Sequence, residues 1–220
     1  MGESLTAAGQ GGWRRLGLRT VTPTPRTAIT LALTRHGQTD WNAAGRLQGS
    51  SDVPLNDVGR GQAAESVLRF SAADWHTVVT SPLVRARETG SILADGLGVP
   101  LGGTYPELRE RHYGQAEGLT DGDAALRWPD GEFPELEPRD AVAARGLAAL
   151  ERIAADVAAS GSGSGTGVIV VAHGTLIREI LRRISNAEIP PILNAATSLL
   201  QRTDDGWRVL TVNDVELTPL

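Results

Sequence analysis

Apolar positions along the chain alternate between short strand-like runs and amphipathic helical stretches. Ile29–Thr34 (ITLALT) and Gly167–Ala172 (GVIVVA) are apolar nearly throughout, as strands covered on both faces of a parallel sheet are. His76–Thr80 (HTVVT) is a shorter run of the same kind. Between these runs the period changes. Ala63, Ala64, Val67 and Leu68 predict a helix over about Gly59–Phe70, and Leu83, Ala86, Gly90, Leu93 and Leu97 set a three-four stripe on a second helix; each stripe needs a core to face. Ser81 reads as the cap of that second helix, with Pro82 at its first position, where a missing N–H is tolerated. Leu147, Leu150, Ile153 and Val157 predict a long helix from about Arg139 to Ala159. Leu176, Ile177, Ile180, Leu181 and Ile184 predict another after the GVIVVA run. Thr197–Arg202 and Trp207–Asn213 read as a terminal hairpin turned at Asp204-Asp205-Gly206.

This order predicts an α/β fold, a single-domain three-layer sandwich with a mostly parallel central sheet and helices on both faces. Residues 1–27 are rich in Gly, Thr, Ala and Pro without periodicity and read as a flexible N-terminal extension to a domain spanning 28–220. Gly102–Pro138 is poor in periodic structure. The GSGSGTG stretch (Gly161–Gly167) follows a helix and precedes a strand, the reverse of a phosphate-binding glycine loop, so it reads as a connector.

Composition narrows the chemistry. The 220 residues contain no cysteine, and all 21 basic residues are arginine. Thiolate nucleophiles, disulfides, Schiff-base lysines and a P-loop lysine are therefore excluded. A net charge of −5 supplies no basic footprint for nucleic acid. No apolar run is long enough to span a membrane, and the sequence after Arg14-Arg15 lacks the apolar core of an export signal. The expected location is cytoplasmic, as a monomer or homodimer.

The polar residues converge on one edge of the expected sheet. Arg35-His36 leaves the first strand, Arg85 lies at the start of the helix after HTVVT, and His173 ends GVIVVA. Ligands of such folds bind beyond the carboxyl ends of strands. Arginine forks and helix amino ends suit a phosphate, and the cluster is too cationic for a site handling neutral carbonyls. Each residue alone has a plain structural account: a histidine satisfying a loop, a strand-end histidine capping a helix, a solvated Arg85 paired with Glu88.

Taken together, in order, LTRHGQTDWN, GRLQGSSDVPLNDVGRGQA, SPLVRARET, LRERHYGQAEG and VVAHGTLIR resemble the motif blocks of the histidine phosphatase superfamily, which includes cofactor-dependent phosphoglycerate mutases. The resemblance covers roughly residues 29–213. It implies that His36 is a nucleophile becoming phosphohistidine, that Arg35, Arg85 and His173 clamp the phosphoryl oxygens, and that Asn42 adds a phosphate contact. Gly37, Gln48 and Gly174 are implied in the phosphate pocket, and Glu110 is implied as the proton donor, with Glu107 a nearby rival. Neither a metal nor an organic cofactor is implied. The expected activity is a metal-independent phosphatase acting on a small phosphorylated metabolite. A cofactor-dependent phosphoglycerate mutase and a catalytically silent phospho-ligand-binding module are the alternatives. Against the mutase stand the isolated Arg127, the short tail after Asn213 and the Ala116-Glu117-Gly118 variant; against the silent module stands the presence of both His36 and Glu110. His76 reads as structural, and His112 as a pocket neighbour without a reaction. Specificity is expected in Gly118–Pro138, where Trp128 and Phe133 offer an apolar wall, and its weak acidity disfavours a highly anionic substrate.

Overall fold

The computed structural model describes residues 29–160 and 167–216. The proposed N-terminal extension and nearly all of GSGSGTG lie outside these. The elements run β1 (Ile29–Arg35), α1 (Asp40–Ala43), α2 (Asp57–Phe70), β2 (Trp75–Thr80), α3 (Val84–Leu97), β3 (Leu101–Thr104), α4 (Asp121–Arg127), α5 (Arg139–Ala159), β4 (Gly167–Ala172), α6 (Gly174–Ser185), β5 (Thr197–Thr203), β6 (Gly206–Val209), β7 (Thr211–Val212) and β8 (Val215–Glu216). Six strands form one sheet in the order β3-β2-β4-β1-β5-β6. The β3-β2, β2-β4 and β4-β1 pairs are parallel, and β1-β5 and β5-β6 are antiparallel.

Alternation within the strands assigns side chains to two cores. Leu31 and Leu33 of β1, with Val168 and Val170 of β4, pack with Leu150 and Ile153 of α5 and Leu176 and Ile180 of α6. Ala32, Ile169 and Val171 face the other way, onto Phe70 of α2 and Ala86 and Leu93 of α3. Every residue of β4 is buried, which explains its unbroken apolar sequence. The expected three-layer sandwich with helices on both faces is what the chain forms.

Several local expectations change. Helix α2 starts earlier, at Asp57, because the Asn56 side chain accepts the Gly59 N–H (2.9 Å). Helix α3 begins at Val84, not at Pro82, and Ser81 does not cap it; Asp52 Oδ1 accepts the Val84 N–H at 2.7 Å instead. The segment Gly102–Pro138 holds most of β3, two 3₁₀ turns (Pro106–Leu108 and Gly114–Ala116) and α4, whose cap is Thr120. The second strand of the terminal hairpin stops at Val209, and a separate small hairpin, β7-β8, follows. Asn213 and Asp214 both take positive φ there (49° and 65°), the backbone of a two-residue turn matched to strand twist.

Register positions the chemistry. Arg35 pairs with Ala172 and Thr80 with Val171, so β1, β4 and β2 end level with one another. The His36 N–H continues the ladder to Ala172 O (3.0 Å), and the Ser81 N–H to Val171 O (2.9 Å). His36, His173 and Ser81 therefore emerge side by side at the carboxyl edge.

Candidate active site

His36 and His173 are 3% and 0% exposed, with ring centroids 5.2 Å apart. His36 Nδ1 lies 2.7 Å from the Gly37 carbonyl and its Nε2 lies 3.2 Å from Arg85 Nε. A carbonyl only accepts and a guanidinium only donates. The proton therefore sits on Nδ1 and the lone pair on Nε2. Burial, and then the charges of Arg35 and Arg85, hold the His36 pKa well below 6.5, so the ring is neutral, its Nε2 lone pair accepting from Arg85.

Arg85 is fully buried. Its Nη1 and Nη2 donate to the carbonyls of Ser51 and Gly49 (both 2.9 Å), and burial lowers its pKa to about 10. It does not pair with Glu88, which binds Arg60 Nε at 2.7 Å. Those two carbonyls are held from behind. Glu117 accepts the N–H groups of Ser50 (2.7 Å) and Ser51 (2.9 Å) and the Ser51 hydroxyl (2.6 Å), so one carboxylate fixes the loop that aims Arg85.

Arg35 reaches from β1 to Ile192 O through Nη1 (2.7 Å). Its Nε packs over Gly174, where an added Cβ would stand 3.2 Å away. Gly37 admits an even closer approach: a Cβ there would meet Gly59 O at 2.3 Å, so the start of α2 lies directly against the strand end. The Gly37 N–H donates to Thr89 Oγ1 (3.1 Å).

Asn42 and Gln48 form one network. Gln48 Oε1 accepts from the Thr39 hydroxyl (2.8 Å) and from Asn42 Nδ2 (3.2 Å), which turns the Gln48 amide nitrogen away from both. Asn42 Oδ1 accepts from Thr39 N–H and Asn194 Nδ2, both at 3.2 Å. His173 Nε2 lies 2.8 Å from Ser81 Oγ. With the serine donating, the His173 proton belongs on Nδ1, and burial followed by the charge of Arg85 keeps that ring neutral too.

Glu110 is 8% exposed and caps α6. Its Oε1 accepts the N–H groups of Arg111 (2.8 Å) and Leu176 (2.9 Å), and its Oε2 accepts that of Thr175 (2.9 Å). The Glu110 carboxylate thus binds the chain two residues beyond His173, at Thr175. Glu107, the rival acid, forks instead to Arg152 (2.8 Å twice) on α5. His112 is exposed, with Nδ1 accepting from the Gly114 N–H (2.8 Å).

Among the described residues, three buried side-chain atoms lack a hydrogen-bond partner: Arg35 Nε, Gln48 Nε2 and His173 Nδ1. All three are nitrogens able to donate, and all three belong to residues singled out from the motifs. Leaving buried donors unmade costs about 1–3 kcal/mol each, and acceptor oxygens are what these three would pair with.

A cleft of about 1190 Å³ is lined by Leu47, Tyr113 and Thr175. Leu47 is next to Gln48 in the chain, and Thr175 is two residues from His173; the histidines and Arg35, Arg85 and Glu110 are not in the cleft wall. Tyr113 Oη lies 2.6 Å from Thr175 Oγ1, and burial, then the charge of Glu110, raises its pKa to about 12, so it stays a neutral phenol. Phe133 lines the cleft, and Trp128 backs it with ring centroids 5.5 Å apart. The acidic middle segment is only part of the wall. Five arginines, four of them from α5 and α6, face five carboxylates across it, so the cleft is charge-balanced, which removes the basis for expecting it to repel anionic substrates.

Sequence reading missed Ser81, Asn194, Thr39 and the supporting role of Glu117. Ser81 was visible only as a helix cap, and Asn194 sits in a stretch without motif or period.

The fold is a mostly parallel α/β sandwich with arginines and histidines gathered at its strand ends, and comparison with known proteins makes the class specific. The profile of the histidine phosphatase superfamily (branch 1) matches residues 31–215, and the chain belongs to that family. A metal-independent phosphoserine phosphatase of Arabidopsis thaliana is 34% identical over 199 residues, covering 84% of this chain and 81% of its own length. The probable phosphoglycerate mutase GpmB of Photorhabdus laumondii is 32% identical over 210 residues, covering 85% and 94%. A mycobacterial glucosyl-3-phosphoglycerate phosphatase solved with VO3 superposes with a TM-score of 0.74 at 28% identity, covering 84% of this chain and 98% of that one. Among the described residues no helix is long and apolar enough to cross a membrane.

Proposed function

We propose that this protein is a phosphatase that hydrolyses phosphate monoesters of small polar metabolites through a phosphohistidine at His36 Nε2. The observation that carries the reading is the trio of unpartnered buried donors, Arg35 Nε, Gln48 Nε2 and His173 Nδ1, with His173 packed 5.2 Å from a neutral His36 whose Nε2 accepts from Arg85. A transferring phosphoryl group is loose and spreads charge over its oxygens, so fixed donors lower the barrier by stabilising that charge without reorganising.

In this mechanism the phosphoryl oxygens take the donors of Arg35, Gln48 and His173, and Arg85 Nε–H moves from His36 Nε2 to a phosphoryl oxygen, which frees that lone pair. His36 Nε2 attacks phosphorus in line as the ester oxygen leaves. Glu110 protonates that oxygen. Its Oε1 already accepts two N–H bonds and its Oε2 only one, so Oε2 has the lone pair that carries the proton. The same oxygen then takes a proton from the water that attacks the phosphohistidine, restoring both residues. The leaving group lies in the cleft beside Tyr113 and Thr175. No step draws on a second phosphorylated compound; the relatives carry both phosphatase and mutase names, so an assay has to separate the two.

One assay decides it. The protein is incubated with an aryl phosphate, and separately with 3-phosphoglycerate plus 2,3-bisphosphoglycerate. Phosphate release by the wild type, and none by His36→Ala, is expected. Interconversion of 2- and 3-phosphoglycerate without net phosphate release would replace the reading with a mutase; inactivity on a broad phosphoester panel would point to a ligand-binding module.

A further inference from the structure

The segment carrying Glu110 has no regular secondary structure beyond one 3₁₀ turn, Pro106–Leu108. A proton donor on irregular backbone needs something to hold it, and one side chain on α5 does so. Arg145 Nη1 donates to the carbonyls of Glu107 (2.7 Å) and Arg109 (2.6 Å), and its Nη2 to that of Glu110 (3.1 Å). The remaining side of the guanidinium forks to Glu137, from Nε to Oε1 (2.7 Å) and from Nη2 to Oε2 (2.9 Å). Its planar array of donors is thus divided between the backbone under Glu110 and one carboxylate.

Glu137 closes the clamp from the far side. Its Oε2 accepts the His112 N–H (3.1 Å), its N–H donates to His112 O (2.9 Å), and its carbonyl accepts Arg111 Nε (2.7 Å). Burial works against the Glu137 charge, but the hydrogen bonds from Arg145 and His112 outweigh it and hold the carboxyl below the usual range. Arg145 and Glu137 are themselves mostly buried, at 22% and 21% side-chain exposure. Neither belongs to a block that marks the family.

We infer that Arg145, locked by Glu137, is a positioning residue that holds Glu110 in register with the amino end of α6 and so sets the proton transfer to the leaving oxygen. This rests on Glu110 being the general acid, and the consequence is specific. The value of kcat/KM in a two-step displacement reports events up to departure of the first product. A leaving group as acidic as 2,4-dinitrophenolate departs without a proton, whereas an alkyl alkoxide needs one. Misplacing the acid therefore lowers kcat/KM for alkyl phosphates and spares it for the activated ester. A purely structural residue would lower both alike.

The test measures kcat/KM for 2,4-dinitrophenyl phosphate and a simple alkyl phosphate in the wild type, R145Q, R145K, E137Q and E110Q, with thermal melts to choose variants that fold. E110Q should lose about 100-fold or more on the alkyl ester, within the range of general acid catalysis. R145Q should lose about 10–100-fold on it and under about threefold on the activated ester, with E137Q and R145K showing the same split more weakly. E137Q carries the test if R145Q does not fold. Equal losses on both esters in the folded Arg145 and Glu137 variants, beside a clear split in E110Q, overturn the positioning role. An E110Q protein with no split overturns the acid assignment itself, and the inference with it.

Discussion

His36 shows how two neighbours and burial fix the protonation of a single ring. Its neighbours are an obligate acceptor at Nδ1 and an obligate donor at Nε2, so the tautomer is fixed by geometry and the charge by burial. The carbonyl that makes the first of these contacts belongs to Gly37. A methyl there would overlap the Gly59 carbonyl at 2.3 Å, and one on Gly59 would overlap Gln38 O at 2.1 Å. Backbone against backbone leaves no flexible atom to give way. Gly37→Ala is expected to cost about 1–3 kcal/mol, the usual range for overpacking a filled site, and to lower kcat/KM by moving the carbonyl that holds His36. Denaturant unfolding with parallel kinetics checks it, and a variant as stable and active as wild type would show that the two backbones can separate freely. At this scale the motif residues were legible because chemistry restricts them to arginine, histidine and glutamate. Their supports were not: Arg145 and Glu117 look like ordinary surface charges until the fold brings them behind Glu110 and Arg85.

Element boundaries were legible where burial wrote a period and obscure where another segment supplied the missing group. Strand β4 announced itself because both its faces are covered. Strand β3 is exposed at all four positions of Leu-Gly-Gly-Thr, so no alternation marks it. Helix α3 is the instructive case. Ser81-Pro82 carries a local start signal, yet Ser81 is spent on His173 Nε2 (2.8 Å), and the Val84 N–H is satisfied by Asp52 from 32 residues upstream. Capping propensity was read correctly as a demand and assigned to the wrong donor of the oxygen. Two substitutions separate the roles. Asp52→Ala should destabilise the protein by about 1 kcal/mol, as loss of a cap does, seen as a lowered denaturation midpoint. Ser81→Ala should leave α3 intact and instead lower kcat/KM, because His173 Nδ1 is then no longer committed to carrying the proton. A reversal, with Ser81→Ala unfolding α3 and Asp52→Ala silent, would restore the local cap.

For the molecule as a whole, the site makes stability depend on pH in a definite direction. His36 and His173 are buried and neutral, both with pKa values driven well below 6.5, first by burial and then by Arg35 and Arg85 for His36 and by Arg85 for His173. In the unfolded chain the same histidines protonate near pH 6.5. As pH falls through that value the unfolded state takes up protons that the folded state refuses, and stability falls with it. Two such groups give a limiting slope of about 2.7 kcal/mol per pH unit, twice the 1.36 kcal/mol that one proton contributes. The window opens just below pH 6.5, ahead of the acid range in which the depressed carboxyls of Glu117 and Glu137 lose their own contribution. Unfolding free energies measured from pH 7.5 to 5 should therefore bend downward below 6.5 with a slope approaching two protons. His173→Gln, which removes one titrating ring, should reduce it by about one. Inorganic phosphate should raise stability across the range, since an anion bound only by the folded state adds RT ln(1 + [L]/Kd) and occupies the donors that burial leaves unpaired. A flat profile down to pH 5 would mean that the rings are protonated in the folded protein, and a protonated His36 has no lone pair with which to attack.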